Sequence, residues 1–150
     1  MKPKIEVCIH CSATRENQRF SFQQCKDYHM NHPSRRYSDI GYNIYIERDG
    51  SVHLGRPFGA TLAHARGHNK GFLAICYEGG LDAQGNPKDT RTDAQKQALI
   101  TCRLFIERIY DVTRWTGHRD LSPDKNDDGI ITPNEWLKQC PCFNVQSEFQ

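Results

Sequence analysis

No stretch of this sequence approaches the roughly 18 consecutive apolar residues that a membrane-spanning helix needs, so neither a span nor a membrane partner is expected. There is no internal repeat and no low-complexity segment, which excludes a solenoid and a compositionally biased linker. Charge of one sign is also lacking. Twenty Lys and Arg stand against 18 Asp and Glu, the net charge is +2, and the basic residues are scattered. A nucleic-acid partner would leave a basic stripe or a recognisable module, so none is expected. The opening Met1-Lys2-Pro3-Lys4 runs straight into Ile5–Cys11, which is too short and too polar for a signal-peptide core. The expectation is a chain made in the cytoplasm that reaches an outside target by release or another secretion route. Seven cysteines cannot close a full disulfide framework. Cys25, Cys76 and Cys102 sit in apolar stretches that suit reduced, buried thiols.

What is present reads as one α/β domain over residues 1–150, large enough to bury a core without disulfides. Ile5, Val7 and Ile9 alternate with Glu6, Cys8 and His10, predicting a strand that carries His10 at its exit. Ser21 caps a helix running to about Asn31, stopped by Pro33. Tyr42, Ile44 and Ile46 alternate again, Asp49-Gly50 signals a hairpin, and Ser51–Gly55 is the return strand. Leu73–Tyr77 is a buried strand ended by Gly79-Gly80, followed by a turn-rich stretch from Leu81 to Arg91. Thr92–Gln95 matches a capping box, opening a helix with Ala98, Cys102, Phe105, Ile106 and Ile109 on one face. Val112–Thr116 is a last strand delivering His118 into a loop, then come a short helix from Thr132 to Lys138 and an irregular tail. Alternating strands and helices predict a central mixed sheet flanked by helices, with the active site at one end of the sheet. A monomer is the default expectation.

A hydrolytic zinc ion takes three protein ligands and keeps its fourth position for water. His10 at a strand end, His118 after another strand and Cys140 in a loop are suited to converge at one end of the sheet. Spacing alone leaves many triples among seven histidines and seven cysteines. Cys142 is an alternative to Cys140. His64 and His68 are four apart, but Gly67 lies between them and the glutamate of an H-E-x-x-H helix is missing, so a thermolysin-like site is excluded.

The surrounding words narrow the choice. Ile9-His10-Cys11-Ser12-Ala13-Thr14, Gly41-Tyr42-Asn43, Arg48-Asp49-Gly50-Ser51-Val52 and Gly55-Arg56 stand in order. They are followed by Ala63-His64-Ala65-Arg66-Gly67-His68-Asn69, Gly79-Gly80, Gly117-His118-Arg119-Asp120 and Lys138-Gln139-Cys140-Pro141-Cys142-Phe143. This ordered set, across roughly residues 5 to 145, resembles the type-2 N-acetylmuramoyl-L-alanine amidases of phage-lysozyme type, to which peptidoglycan recognition proteins are related. The resemblance implies zinc on His10, His118 and Cys140, catalytic assistance from Tyr42 and Lys138, and His64 in the substrate cleft. It implies hydrolysis of the amide between N-acetylmuramic acid and L-alanine in bacterial peptidoglycan. The residues themselves leave blander readings open: Tyr42 as an alternating strand residue, Lys138 as a solvated cation, His64 as a loop histidine. Glu78 is a candidate for moving a proton to the leaving amine, set against an exposed place at a strand end. Two rivals to the enzyme are a non-catalytic peptidoglycan-binding module and a closed, purely structural zinc site that adds Cys142.

One segment departs from the shorter family pattern. Asp124 to Glu135 matches the EF-hand calcium loop, with Asp124, Asn126 and Asp128 at places 1, 3 and 5. The Ile130 carbonyl falls at place 7, Gly129 at the sharp turn and Glu135 at place 12. The expectation is a structural calcium ion tying the segment between His118 and Lys138. The same residues, Thr132-Pro133-Asn134-Glu135, also read as a plain capping box.

Overall fold

The computed structural model describes residues 1–150. Five strands form the main sheet: β1 (Lys4–Cys11), β3 (Ile44–Ile46), β4 (Val52–Leu54), β5 (Phe72–Tyr77) and β7 (Asp111–Gly117), in the order β4-β3-β5-β1-β7. β1 pairs in parallel with β5 and β7, and β3 in parallel with β5, while the β3–β4 hairpin is antiparallel. The sheet is therefore mixed, as the alternation of strands and helices implied. Two short strands, β2 (Thr14–Arg15) and β6 (Gly80–Leu81), make a separate parallel pair just past the ends of β1 and β5.

Helices cover both faces. The helix α2 (Asp93–Ile109) and the short α3 (Val145–Phe149) pack on Val7, Ile9, Ile44, Ile46, Leu73, Ile75 and Tyr77. Helix α1 (Phe22–Asn31) covers the opposite face, where Cys25 and Ile40 meet Tyr45 and Cys76. Burial on both faces explains why the inner strand β5 is apolar at every position. Both long helices begin at full capping boxes, Ser21 with Gln24 and Thr92 with Gln95.

Local signals and packing part company in four places. The buried stripe of α2 is Gln95, Ala98, Leu99, Cys102 and Ile106, whereas Phe105 and Ile109 are 55% and 41% exposed. The stripe is centred on the line through Leu99 and Ile106, so Phe105 falls at its edge. Tyr42 lies before β3, its carbonyl accepting from the Arg56 N–H at 2.9 Å. The helix expected from Thr132 is only a 3-10 turn, Pro133–Glu135. Beyond it the Leu137 N–H bonds the Ser122 hydroxyl at 3.0 Å and the Trp136 ring lies under the Arg119 guanidinium at 4.0 Å, drawing the chain off the helical path. The tail is helical rather than irregular, because Asn144 caps α3 and Val145 and Phe149 reach the core.

No helix is long and apolar enough to cross a membrane. The parallel strands β1, β5 and β7 all end at one edge, and such an edge is where α/β sheets gather ligands.

Candidate metal centre and cleft

His10 is the penultimate residue of β1 and points to the α1 face, fully buried; His118 follows β7 directly, in the 3-10 turn His118–Leu121. The pairing of Ile9 with Gly117 in adjacent strands sets the two histidines side by side, with ring centroids 4.6 Å apart. Cys140 arrives from the loop after Trp136. Its sulfur lies 3.8 Å from His10 Nδ1 and accepts the Cys11 backbone N–H at 3.2 Å. Ligating atoms of His10, His118 and Cys140 all fall within 4.8 Å of one another.

Two contacts hold the cysteine loop, one from the histidine turn and one from β5. The Arg119 N–H donates to the Cys140 carbonyl at 2.8 Å, and the Tyr77 hydroxyl donates to the Pro141 carbonyl at 2.6 Å. Gly117 permits the approach, for a Cβ there would lie 2.6 Å from Pro141 Cδ.

The hydrogen bonds assign the tautomers. His64 Nε2 faces the His68 carbonyl at 2.6 Å, and a carbonyl only accepts, so this nitrogen carries the proton. His64 Nδ1 is then an acceptor, and it faces His10 Nε2 at 2.9 Å. His10 Nε2 must donate, which leaves His10 Nδ1 with a free lone pair on the side of Cys140. A second converging set, Cys8, His10 and His64, is buried throughout. Its two imidazoles already share a proton and it has no open position, so the set with His118 and Cys140 is the better ligand field. Two imidazole nitrogens and one sulfur facing a cleft fit an open zinc site.

Burial holds His10 well below the ordinary histidine value, with the neighbouring His118 adding to it. Burial also pushes His118 down to about 4, helped by the charge of Lys138, and His64 down to about 4. All three imidazoles are neutral at neutral pH and need lose no proton to serve as ligands or acceptors.

His10, His118 and Cys140 open into a cleft of about 760 Å³ that Tyr42, His64, Leu137 and Lys138 also line. The Tyr42 ring sits 5.1 Å from that of His10, and burial pushes its phenol well above the ordinary value, keeping it a donor. No carboxylate lines the cleft. Its charged side chains are Arg35, Arg66 and Lys138, and none is in an ion pair.

Glu78 is elsewhere and is buried rather than exposed. Its carboxylate accepts the backbone N–H of Phe20 at 2.6 Å and of Arg48 at 3.0 Å, and pairs with Arg19 at 3.2 Å. It pins loops to the sheet and has no part in the cleft. The 124–135 loop is also outside the cleft. Asp124 accepts from the Gly129 N–H at 2.7 Å and Asp128 from the Ile130 N–H at 2.8 Å. Glu135 turns to the N–H groups of Lys125 and Thr132 at 2.8 and 2.7 Å. Asp124, Asp128 and Glu135 do not form a converging set of ligand atoms.

Sequence reasoning missed His29, whose Nδ1 accepts the Gly41 N–H at 2.9 Å while its ring packs 5.4 Å from that of Tyr42. It missed Asn69, whose side-chain oxygen accepts the N–H groups of His64 and Ala65 at 2.9 and 3.2 Å. The only signals were a histidine one turn after Cys25 in α1 and an asparagine after His68, neither of which reveals its partner.

The fold and the site define a mixed-sheet α/β protein with a histidine–histidine–cysteine centre in a cation-lined cleft. The sequence profile of the N-acetylmuramoyl-L-alanine amidases matches residues 3–130, and the chain belongs to that family. An endolysin of Klebsiella phage KP32 is 30% identical over 141 residues, covering 94% of this chain and 82% of the phage protein. The solved N-acetylmuramoyl-L-alanine amidase LysC from Clostridium intestinale shares the fold, with a TM-score of 0.67 and 23% identity over 99% of this chain and 82% of that one. A tyrosine-to-phenylalanine mutant of Drosophila PGRP-LB, solved in complex with tracheal cytotoxin, matches with a TM-score of 0.66 and 21% identity over 99% of this chain and 80% of that one.

Proposed function

We propose that this protein hydrolyses the amide bond between N-acetylmuramic acid and L-alanine in bacterial peptidoglycan, using zinc held by His10, His118 and Cys140. The observation that carries the reading is the convergence of three ligand atoms at a cleft that also presents Tyr42 and Lys138. Bound zinc supplies Lewis-acid polarisation of the carbonyl and brings the pKa of water to about 7. The rest of the chemistry belongs to the chain. As the carbonyl carbon becomes tetrahedral, its oxygen gains negative charge, and the phenol of Tyr42 and the ammonium of Lys138 stabilise it. The partial burial of Tyr42 strengthens its interaction, whereas Lys138 acts from the exposed wall of the cleft. Arg35 and Arg66, unpaired and in a cleft without carboxylates, favour a ligand that carries carboxylates, as a muramyl stem peptide does. The protein acts as a monomer on the cell wall.

The second reading is a recognition module that holds muropeptides uncut; a PGRP-LB mutant of the same fold has been solved with tracheal cytotoxin bound. Purified peptidoglycan separates the two. Zinc-loaded wild type is expected to release L-alanine amines while Cys140→Ala, with reduced zinc content, does not. A zinc-loaded wild type that binds peptidoglycan and releases nothing would establish the module instead.

We also propose a structural calcium ion on Asp124, Asn126, Asp128, the Ile130 carbonyl and Glu135. The reading rests on the sequence pattern of the loop; Asp124 Oδ1 is buried without a hydrogen-bond partner, but the loop carboxylates do not converge. Glu135 must leave its backbone partners to join. Isothermal titration is expected to show uptake of one ion, and absence of heat at millimolar calcium rules the ion out.

A further inference from the structure

His64 has no polar atom left for a substrate. Its Nε2 is committed to the His68 carbonyl at 2.6 Å and its Nδ1 to His10 Nε2 at 2.9 Å. It is 7% exposed, and its ring rests against Phe72 with centroids 5.5 Å apart. A side chain that grips a ligand needs a free donor or acceptor facing the cleft, and both ring nitrogens here face protein.

The far end of the chain of bonds is built to stay still. The side-chain oxygen of Asn69 accepts the N–H groups of His64 and Ala65, the Leu62 N–H donates to the Asn69 carbonyl at 2.8 Å, and the His68 N–H donates to the Ala65 carbonyl at 2.9 Å. The loop is thereby closed on itself, with the His68 carbonyl held at one place. Gly41 seats the loop against the segment that carries Tyr42, since a Cβ there would lie 2.2 Å from the Ala63 carbonyl oxygen.

We propose that His64 is a positioning residue of the metal centre, which selects the tautomer and ring orientation of His10 and so presents His10 Nδ1 to the ion. The inference rests on the reading of His10 as a ligand. A neutral imidazole exists in two tautomers of similar energy, and only one leaves Nδ1 free. The His68 carbonyl fixes the proton of His64, His64 fixes that of His10, and the fixed proton directs the lone pair. Outer partners of this kind are usually a carboxylate or a carbonyl. Here a neutral histidine relays the preference of a carbonyl, which keeps negative charge away from a cleft that otherwise presents only cations. Removing His64 leaves the His10 N–H buried without an acceptor, or lets His10 take the tautomer that cannot bind.

The test is zinc affinity of the metal-free protein, by competition with a chromophoric chelator. Losing an outer partner costs about 10- to 100-fold in metal affinity, and His64→Leu is expected to lose that much. His64→Gln, with an amide oxygen to accept from His10 and an amide N–H to donate to the His68 carbonyl, is expected to recover most of it. Nitrogen-15 spectra of the zinc-loaded wild type, which need no variant to fold, are expected to show His10 protonated at Nε2. Unchanged zinc affinity in a folded His64→Leu with a raised KM overturns the inference in favour of substrate binding, as does a His10 protonated at Nδ1. A wild type that takes up no zinc overturns the metal reading itself, and this inference with it.

Discussion

Tyr42 and Lys138 face the same cleft, and the proposed function gives them the same task, to meet negative charge where the substrate oxygen develops it. They differ in how the protein holds them. Tyr42 is packed between His10 and His29, its phenol kept protonated by burial, whereas Lys138 stands exposed on the cleft wall. Neither is hydrogen-bonded to the Cys140 sulfur or to a ring nitrogen of His10 or His118, so on the proposed reading zinc retention is not expected to depend on them. Tyr42→Phe and Lys138→Ala are each expected to lower turnover about 100- to 1000-fold with zinc content unchanged, measured by amine release beside metal analysis. Loss of zinc in either variant would show that the residue supports the centre instead.

Gly117 shows how an element sets the site. It ends β7, and its lack of a side chain lets Pro141 close over the strand, which brings Cys140 up to His118. The contact is with the proline ring next to Cys140, which has little room to give. Gly117→Ala is expected to cost about 1–3 kcal/mol of stability by urea unfolding, with a matching fall in zinc affinity. Unchanged affinity would mean that the loop has slack. Sequence pattern located most elements, because capping boxes and alternation are local properties of Ser21–Gln24, Thr92–Gln95 and Ile5–Ile9. It mislocated the buried stripe of α2, because the rotation of a helix about its axis is decided by the sheet beneath it. It overextended the turn at Thr132, because Ser122 and Arg119 capture the following residues from far away in the chain.

At the scale of the whole molecule, the centre charges the fold a penalty in acid. His64 and His118 have values near 4 in the folded state against an ordinary 6.5, and His10 is lowered as well. Between pH 6.5 and about 4 the unfolded chain takes up protons that the folded chain refuses. Stability present above 6.5 is therefore lost progressively as pH falls through this window, and the share of the slope due to His64 and His118 ends below about 4. Urea midpoints of chelator-treated protein are expected to fall from about pH 7 to about pH 5, above the carboxylate range. A flat profile would mean that these imidazoles are solvated and protonate freely.

The amino-acid sequence by itself determined the family, the α/β class and the identities of His10, His118 and Cys140 as candidates, because the words around them and the alternation that carries His10 are contiguous in the chain. Tertiary structure alone decided that these three meet, that Glu78 pins loops rather than moving protons, and that the cleft carries no carboxylate. It alone set the proton on His10, since that depends on a carbonyl 58 positions away through His64. Hydrogen-bond direction and burial are properties of neighbours in space, and a linear pattern holds no record of them.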